Sequence, residues 1–381
     1  MPEWANSPRH FSRKNSVIHG GATSVICLLH HCGSDGANTC GIGVYPAPHK
    51  SEMSYTINAE SLDSINTCWN QWQALEWGSV FVLPAWLKAW WEAFGTKADL
   101  YLRTLWDGEQ LVGFAPLLLN DDTASFIGSA DVCDYLDFAI NPGRENDFFQ
   151  VLLDDLRDKG VKRLDLRPLR PDSTVLMYLV SIARGRRYVV RCRSEDVSLE
   201  LDLPATWDEY LAMLKNKQRH EVRRKLRRLW EAGDVEHSCA DVGEDVEHHL
   251  DIFLKLFSLS KDEKACFMNR KRRRFFTSLA KAMTDIGLLR IGVLQVNKVT
   301  AAMTMGFDYH DSHYLYNSAY DPQFGHLSVG LLCKVLCLKE SIQKGRSKWN
   351  FLKGAEPYKH RLGAQEVPLY NCLITMRKTP S

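Results

Sequence analysis

LLRIGVLQVNKVTAAMTMGFDYHDSHYLYNSAYD, residues 288–321, carries three apolar-rich runs broken at Asn297-Lys298 and at His310-Asp311-Ser312. Those breaks are turn residues between strand-forming segments, so the spacing predicts three antiparallel strands. The next stretch, AYDPQFGHLSVGLL (319–332), leaves the meander through a Gly-bearing turn and predicts a helix over 328–344, closed by Gly345. KWNFLKGAEPYKHRLGA (348–364) then reads as a strand followed by a charged loop, and YNCLITMRK (370–378) as a final strand.

Upstream, TWDEYLAMLKNKQRHEVRRKLRRLWEAG (206–233) predicts one helix, with Thr206 and Glu209 as a capping box and Gly233 as its stop. Further helices are predicted over 244–259 and 270–285. Nearer the start, 83–95 reads as a helix and 100–119 as two strands around Asp107-Gly108. NDFFQVLLDDLRDKGVKRLDLRPL (146–169) gives an amphipathic helix, a Gly stop and a strand, and 197–204 another strand ending at Pro204. This order predicts an α/β (α+β) protein whose mixed, largely antiparallel sheet is flanked by helices, in two units, 53–204 and 205–381. Residues 1–52 are rich in Gly, Pro, Ser, Asn and His without periodicity, and read as a disordered extension or a mis-assigned start before Met53.

A chain of 381 residues exceeds one ordinary core. Its net charge of +2 gives no global attraction to DNA or to an anionic membrane, and no apolar run reaches a membrane-spanning length. The 11 cysteines show no CxxC pairing; Cys333 and Cys337, one helical turn apart among leucines, read as core residues. His30, His31, Cys32 and Cys40 fit no standard zinc spacing, so no metal is expected. Scattered thiols without a secretory signal point to a cytoplasmic location.

Three features carry chemistry. The helix start at Leu327, Ser328, Val329 and Gly330 fits either an ordinary helix capped by Ser328 or a seat for an anion such as a pyrophosphate. The basic run 215–228 places Arg219, Arg223 and Arg227 at four-residue steps, a one-sided charge that fits a solvated face as well as one offset by carboxylates or an anionic ligand. The loop after Gly354 offers Glu356 as a general base, Tyr358 as an acid, and Lys359 or Arg361 as charge clamps; a salt-bridged surface loop fits the same residues. Strand alternation puts Asn350 and Leu352 on one face and Phe351 on the other, with Asn350 predicted to point into a reaction cleft. Arg219, Tyr320 and Gly354 are the candidate substrate contacts.

The pieces FVLPAWLKAWWEAF (81–94), GFAPLLL (113–119), KNKQRHEVRRKLRRLWEAGDVEH (215–237) and SVGLLCKVLCLKESIQKGRSKWNFLKGAEPYKHRLGA (328–364) resemble the acetyltransferase family associated with bacterial cellulose and exopolysaccharide biosynthesis. That family has the GNAT core order and is similar to the Fem-type aminoacyltransferases, which carry two GNAT-like halves. The resemblance implies acetyl-CoA or another acyl-CoA as co-substrate, its pyrophosphate at Leu327–Gly330, and a functional role for Gly354, Glu356, Tyr358 and Lys359. It departs at Asn350, where the family usually has an acid, and at Val329, where proline is common. The implied partner is a small-molecule or glycan-precursor acceptor. An aminoacyl-tRNA donor, which would use the basic runs 215–228 and RKRRR (270–274), and a non-catalytic scaffold are the alternatives.

Overall fold

The meander forms where its pattern places it. In a computed structural model, which describes residues 55–378 except 69–71, 73, 96, 241–242 and 261–267, the N-terminal half supplies β1 (Tyr55–Ala59), β2 (Asp99–Asp107), β3 (Gln110–Asn120), β4 (Thr123–Phe126), β5 (Ala139–Ile140), β6 (Arg163–Leu169) and β7 (Tyr188–Asp202). The C-terminal half supplies β8 (Val235–Ala240), β9 (Leu289–Val296), β10 (Val299–Tyr309), β11 (Ser312–Tyr320), β12 (Lys348–Lys353) and β13 (Gln365–Lys378). Asn297 and Lys298 both take positive φ, 52° and 64°, as a tight two-residue hairpin requires. The expectations for residues 1–52 lie outside the described residues.

All these strands join one mixed sheet in the order β1-β2-β3-β4-β6-β13-β7-β12-β11-β10-β9-β8, with β5 paired to β3 off the path. Each half follows one plan. A meander (β2-β3-β4, or β9-β10-β11) leads into a helix (Glu145–Asp158, or Val329–Gln343), then a strand parallel to the meander's last (β6 on β4, β12 on β11). The closing strands are exchanged: β7 pairs with β12 of the C-terminal half, β13 pairs with β6 of the N-terminal half, and the two pair with each other. The halves share a core as well. Trp86, on the helix Pro84–Phe94, packs edge-on against Phe275, Phe307 and Tyr316.

One predicted element divides. The helix expected over 206–233 is two, Trp207–Met213 and Asn216–Trp230, because Leu214 and Lys215 both turn extended with ψ 144°. Leu214 is buried, so the break lets Tyr210 and Leu211 on one segment and Val222 and Leu229 on the other reach the same core. The capping box holds, with Glu209 N donating to Thr206 Oγ1 at 3.2 Å and Thr206 N to Glu209 Oε2 at 3.2 Å. Among the described residues no helix is long and apolar enough to cross a membrane.

Candidate active site

β11 and β12 pair only over Ser312–Tyr314 against Lys348–Asn350. Beyond that point they part, and a cleft of about 930 Å³ opens between them. Leu315–Ser318 and Tyr320 form one wall, Phe351–Lys353 and Glu356–Lys359 the other, and Ser328–Leu331 close one end. Among the described residues, β11 thus pairs with β12 no further than Tyr314. It also carries a bulge: Leu315 and Asn317 pair with the consecutive residues Gly306 and Met305, leaving Tyr316 in excess. Bulges of this kind re-aim backbone groups beside functional sites.

The helix start meets the cleft as an uncapped end. Ser328 sits in the left-handed region at φ 60°, and its side chain makes no capping bond. Ser328, Val329 and Gly330 all line the cleft; Leu327 does not, being buried in the core beneath. Gly330 has a packing reason besides openness, since a Cβ there would stand 2.9 Å from Cδ1 of Tyr320. The equivalent helix of the N-terminal half begins with Glu145 and Asp147, whose carboxylates repel an anion. Cations surround the C-terminal start: Lys225 of the basic helix, Lys334, Lys353 and Arg361 line the cleft, against Asp131, Asp134 and Glu356. Lys334 Nζ donates to Gly330 O at 2.9 Å and lies 5.0 Å from the Tyr358 ring centre. Arg219 is absent from the lining, so the basic helix reaches the cleft through Lys225 instead.

Lys359 has a different role from the one its charge suggests. Its side chain is 3% exposed, and Nζ donates to the carbonyls of Leu352 (3.2 Å), Lys353 (2.7 Å) and Gly354 (3.1 Å) while pairing with Glu356 at 2.8 Å. An ammonium has three protons, and they are shared among these four acceptors, three of them carbonyls at the end of β12. Gly354 turns the chain there at φ 101° and does not itself line the cleft. Glu356 lies at the rim, its carboxylate paired to Lys359. Burial pushes the Tyr358 phenol above its ordinary value, with the Glu356 charge adding to it, so the hydroxyl keeps its proton near neutral pH.

Asn350 does not point into the cleft, which corrects the alternation argument. A bulge between Asn350 and Leu352 breaks the alternation, and Leu352 takes φ 63°. Asn350 Oδ1 accepts from Leu352 N at 2.8 Å and from Ser198 Oγ at 3.3 Å; Nδ2 donates to Tyr135 OH at 2.8 Å and to Glu200 Oε1 at 3.1 Å. The residue is 2% exposed and shapes the wall from behind.

A carboxylate of the N-terminal half enters the cleft where the sequence gave no motif. Asp134, in the segment between β4 and β5, lines the cleft and accepts from Lys353 N at 2.8 Å through Oδ2. Burial pushes its carboxyl above the ordinary value, against the Lys353 N–H bond and the charges of Lys353 and Lys359. A desolvated carboxylate in a cationic cleft is suited to take a proton. No periodicity marks this irregular segment; only its DVCDYLD acidity (131–137) stands out.

Residues 216–360 match a family model described as "Acetyltransferase (GNAT) domain", so the C-terminal half carries a GNAT acetyltransferase-like domain. Two solved structures share the fold over most of the chain. FemX is 11% identical, with 83% of this chain and 96% of that one covered at a TM-score of 0.56. A conserved protein of unknown function from Bacteroides thetaiotaomicron is 14% identical, with 84% and 100% covered at 0.54. No curated protein matches the chain.

Proposed function

We propose that this protein is an acyl-CoA-dependent acyltransferase that modifies an amine or hydroxyl of a small-molecule or glycan-precursor acceptor. The observation that carries the reading is the uncapped helix start at Ser328–Gly330, opening into the gap between β11 and β12. A pyrophosphate at that start gains N–H donors and the favourable helix dipole, with Lys225 and Arg361 nearby for further phosphate charge. The amide-bearing arm of the donor then lies along β11 at Leu315–Asn317, where the strand has parted from β12 and can offer backbone hydrogen bonds.

The reaction follows from that placement. The acceptor nitrogen or oxygen attacks the thioester carbonyl, and its proton passes to Asp134. The tetrahedral oxyanion is stabilised by N–H groups at the β11 bulge. Collapse breaks the C–S bond, and the Tyr358 phenol protonates the departing thiolate. The resemblance in sequence supports a role for such an enzyme in polysaccharide or cell-envelope synthesis in the cytoplasm. An aminoacyl-tRNA donor is favoured by one observation, the exposed Arg223, Arg224, Arg227 and Arg228 of the basic helix. Calorimetry with acetyl-CoA tests the main reading: micromolar, one-site binding is expected. An absence of binding, together with tight and salt-sensitive tRNA binding, overturns it.

A further inference from the structure

A cluster of soft donors lies on the far side of the same helix, apart from the cleft. His237 and Cys239 are two apart on β8, so both side chains project from one face of that strand. Cys333 and Cys337 are four apart on the helix Val329–Gln343, so both project from one face of it. The helix brings these faces together. His237 Nε2 lies 3.4 Å from Cys337 Sγ, the donor atoms of His237, Cys333 and Cys337 all fall within 4.8 Å of one another, and Cys239 lies two residues along β8 on the His237 face.

We propose that His237, Cys239, Cys333 and Cys337 form a structural site for a thiophilic divalent cation, zinc above others. In tetrahedral zinc, bonds of about 2.3 Å to sulfur and about 2.0 Å to nitrogen set donor separations of roughly 3.5 to 3.8 Å. His237, Cys333 and Cys337 already lie within 4.8 Å of one another, and rotamer shifts that close them by about 1 Å and turn Cys239 toward them complete the tetrahedron. A core-filling role explains thiols among leucines, but not an imidazole nitrogen aimed at one of them. The surroundings are shaped for the sulfur. Gly292 on β9 stands opposite Cys239, and a Cβ there would overlap both Cys337 Sγ and Thr304 Oγ1. Thr304 Oγ1 lies 3.3 Å from Cys337 Sγ, within reach to support it as an outer partner. Lys344, whose Nζ donates to the Cys239 carbonyl at 3.1 Å, offsets thiolate charge.

Four protein ligands leave no open position, so the ion's work is structural. It pins β8, one of the two edge strands of the sheet, to the helix that starts at Ser328. No short CxxC spacing announces the site because its ligands come in pairs set by strand and helix periods.

Cobalt(II) added to the reduced, chelator-stripped protein tests the assignment. One equivalent should produce intense visible bands of tetrahedral cobalt and a near-ultraviolet sulfur-to-cobalt charge-transfer band, both abolished by one equivalent of zinc. Cys337→Ser and His237→Ala should each weaken zinc, measured by chelator competition, by at least about a hundredfold, the upper end of the cost of losing an outer-shell partner alone. Absence of the charge-transfer band in the wild-type protein overturns the site even if a variant fails to fold. So does an unchanged zinc affinity in the folded variants.

Discussion

The side-chain amide of Asn350 donates to Oε1 of Glu200 at 3.1 Å, on a carboxylate that also receives the Arg170 guanidinium. An amide suits this position because it can donate to Glu200 and Tyr135 through Nδ2 while accepting from Leu352 N and Ser198 through Oδ1. Asn350→Asp would set a second carboxylate against the first. The variant is expected to lose about 1 to 3 kcal/mol of stability at neutral pH, the cost of an unmet buried polar group. Like-charge proximity raises the new carboxyl above its unfolded value, so the penalty is full at high pH and fades as pH falls through that raised value. Denaturant melts at pH 5 and pH 8 check it; equal losses at both would contradict the expectation.

Lys359→Ala should act on the fold of the cleft wall more than on ligand charge. It leaves the carbonyls of Leu352, Lys353 and Gly354 without their shared donor, two of them on residues held at positive φ. A stability loss of about 1 to 3 kcal/mol is expected. A fall in acyl-CoA affinity with no change in melting would instead restore the role of Lys359 as a ligand clamp.

Asp308 supplies an acid-sensitive joint beneath the meander. Burial alone would raise its carboxyl, but the His313 hydrogen bond at 2.7 Å and the Arg346 and Arg290 guanidiniums outweigh it and hold the carboxyl at about 2. A depressed carboxyl stabilises above its unfolded value of 3.8, and that stability is lost as pH falls from there through about 2. The contribution at neutral pH is about 2 kcal/mol. Asp308→Asn should therefore melt earlier at pH 7 and converge on the wild type near pH 2.

The meander and the helix start were legible because turn residues and strand patterning are local. Asn297-Lys298, Gly345 and the Thr206 capping box each act within a few residues of themselves. The exchange of β7 and β13 was not legible, because alternation along Tyr188–Asp202 or Gln365–Lys378 says which face is buried but not which strand lies alongside. Lys359 misled for a related reason: a lysine beside a cleft reads as a ligand contact until its carbonyl partners are seen. Leu214 broke a continuous helical pattern because two core contacts needed different axes.

Asp134 is the residue whose loss should separate chemistry from binding. Its carboxylate lies in the cleft, reached from the N-terminal half, and only Lys353 N is bonded to it at 2.8 Å among the described residues. Asp134→Asn keeps an oxygen for that N–H and removes the proton acceptor. Turnover should fall by about a hundredfold to ten-thousandfold, the scale of general-base loss, while acyl-CoA affinity and melting temperature stay near wild type. The pH profile gives the sharper sign. Burial raises the Asp134 carboxyl, so wild-type turnover should climb with pH on an acid limb lying above the ordinary carboxylate range. The variant should lack that limb. Were Asp134→Asn to keep full turnover while Glu356→Gln lost it, the proton would leave by way of the rim carboxylate, and the N-terminal half would serve only to shape the cleft.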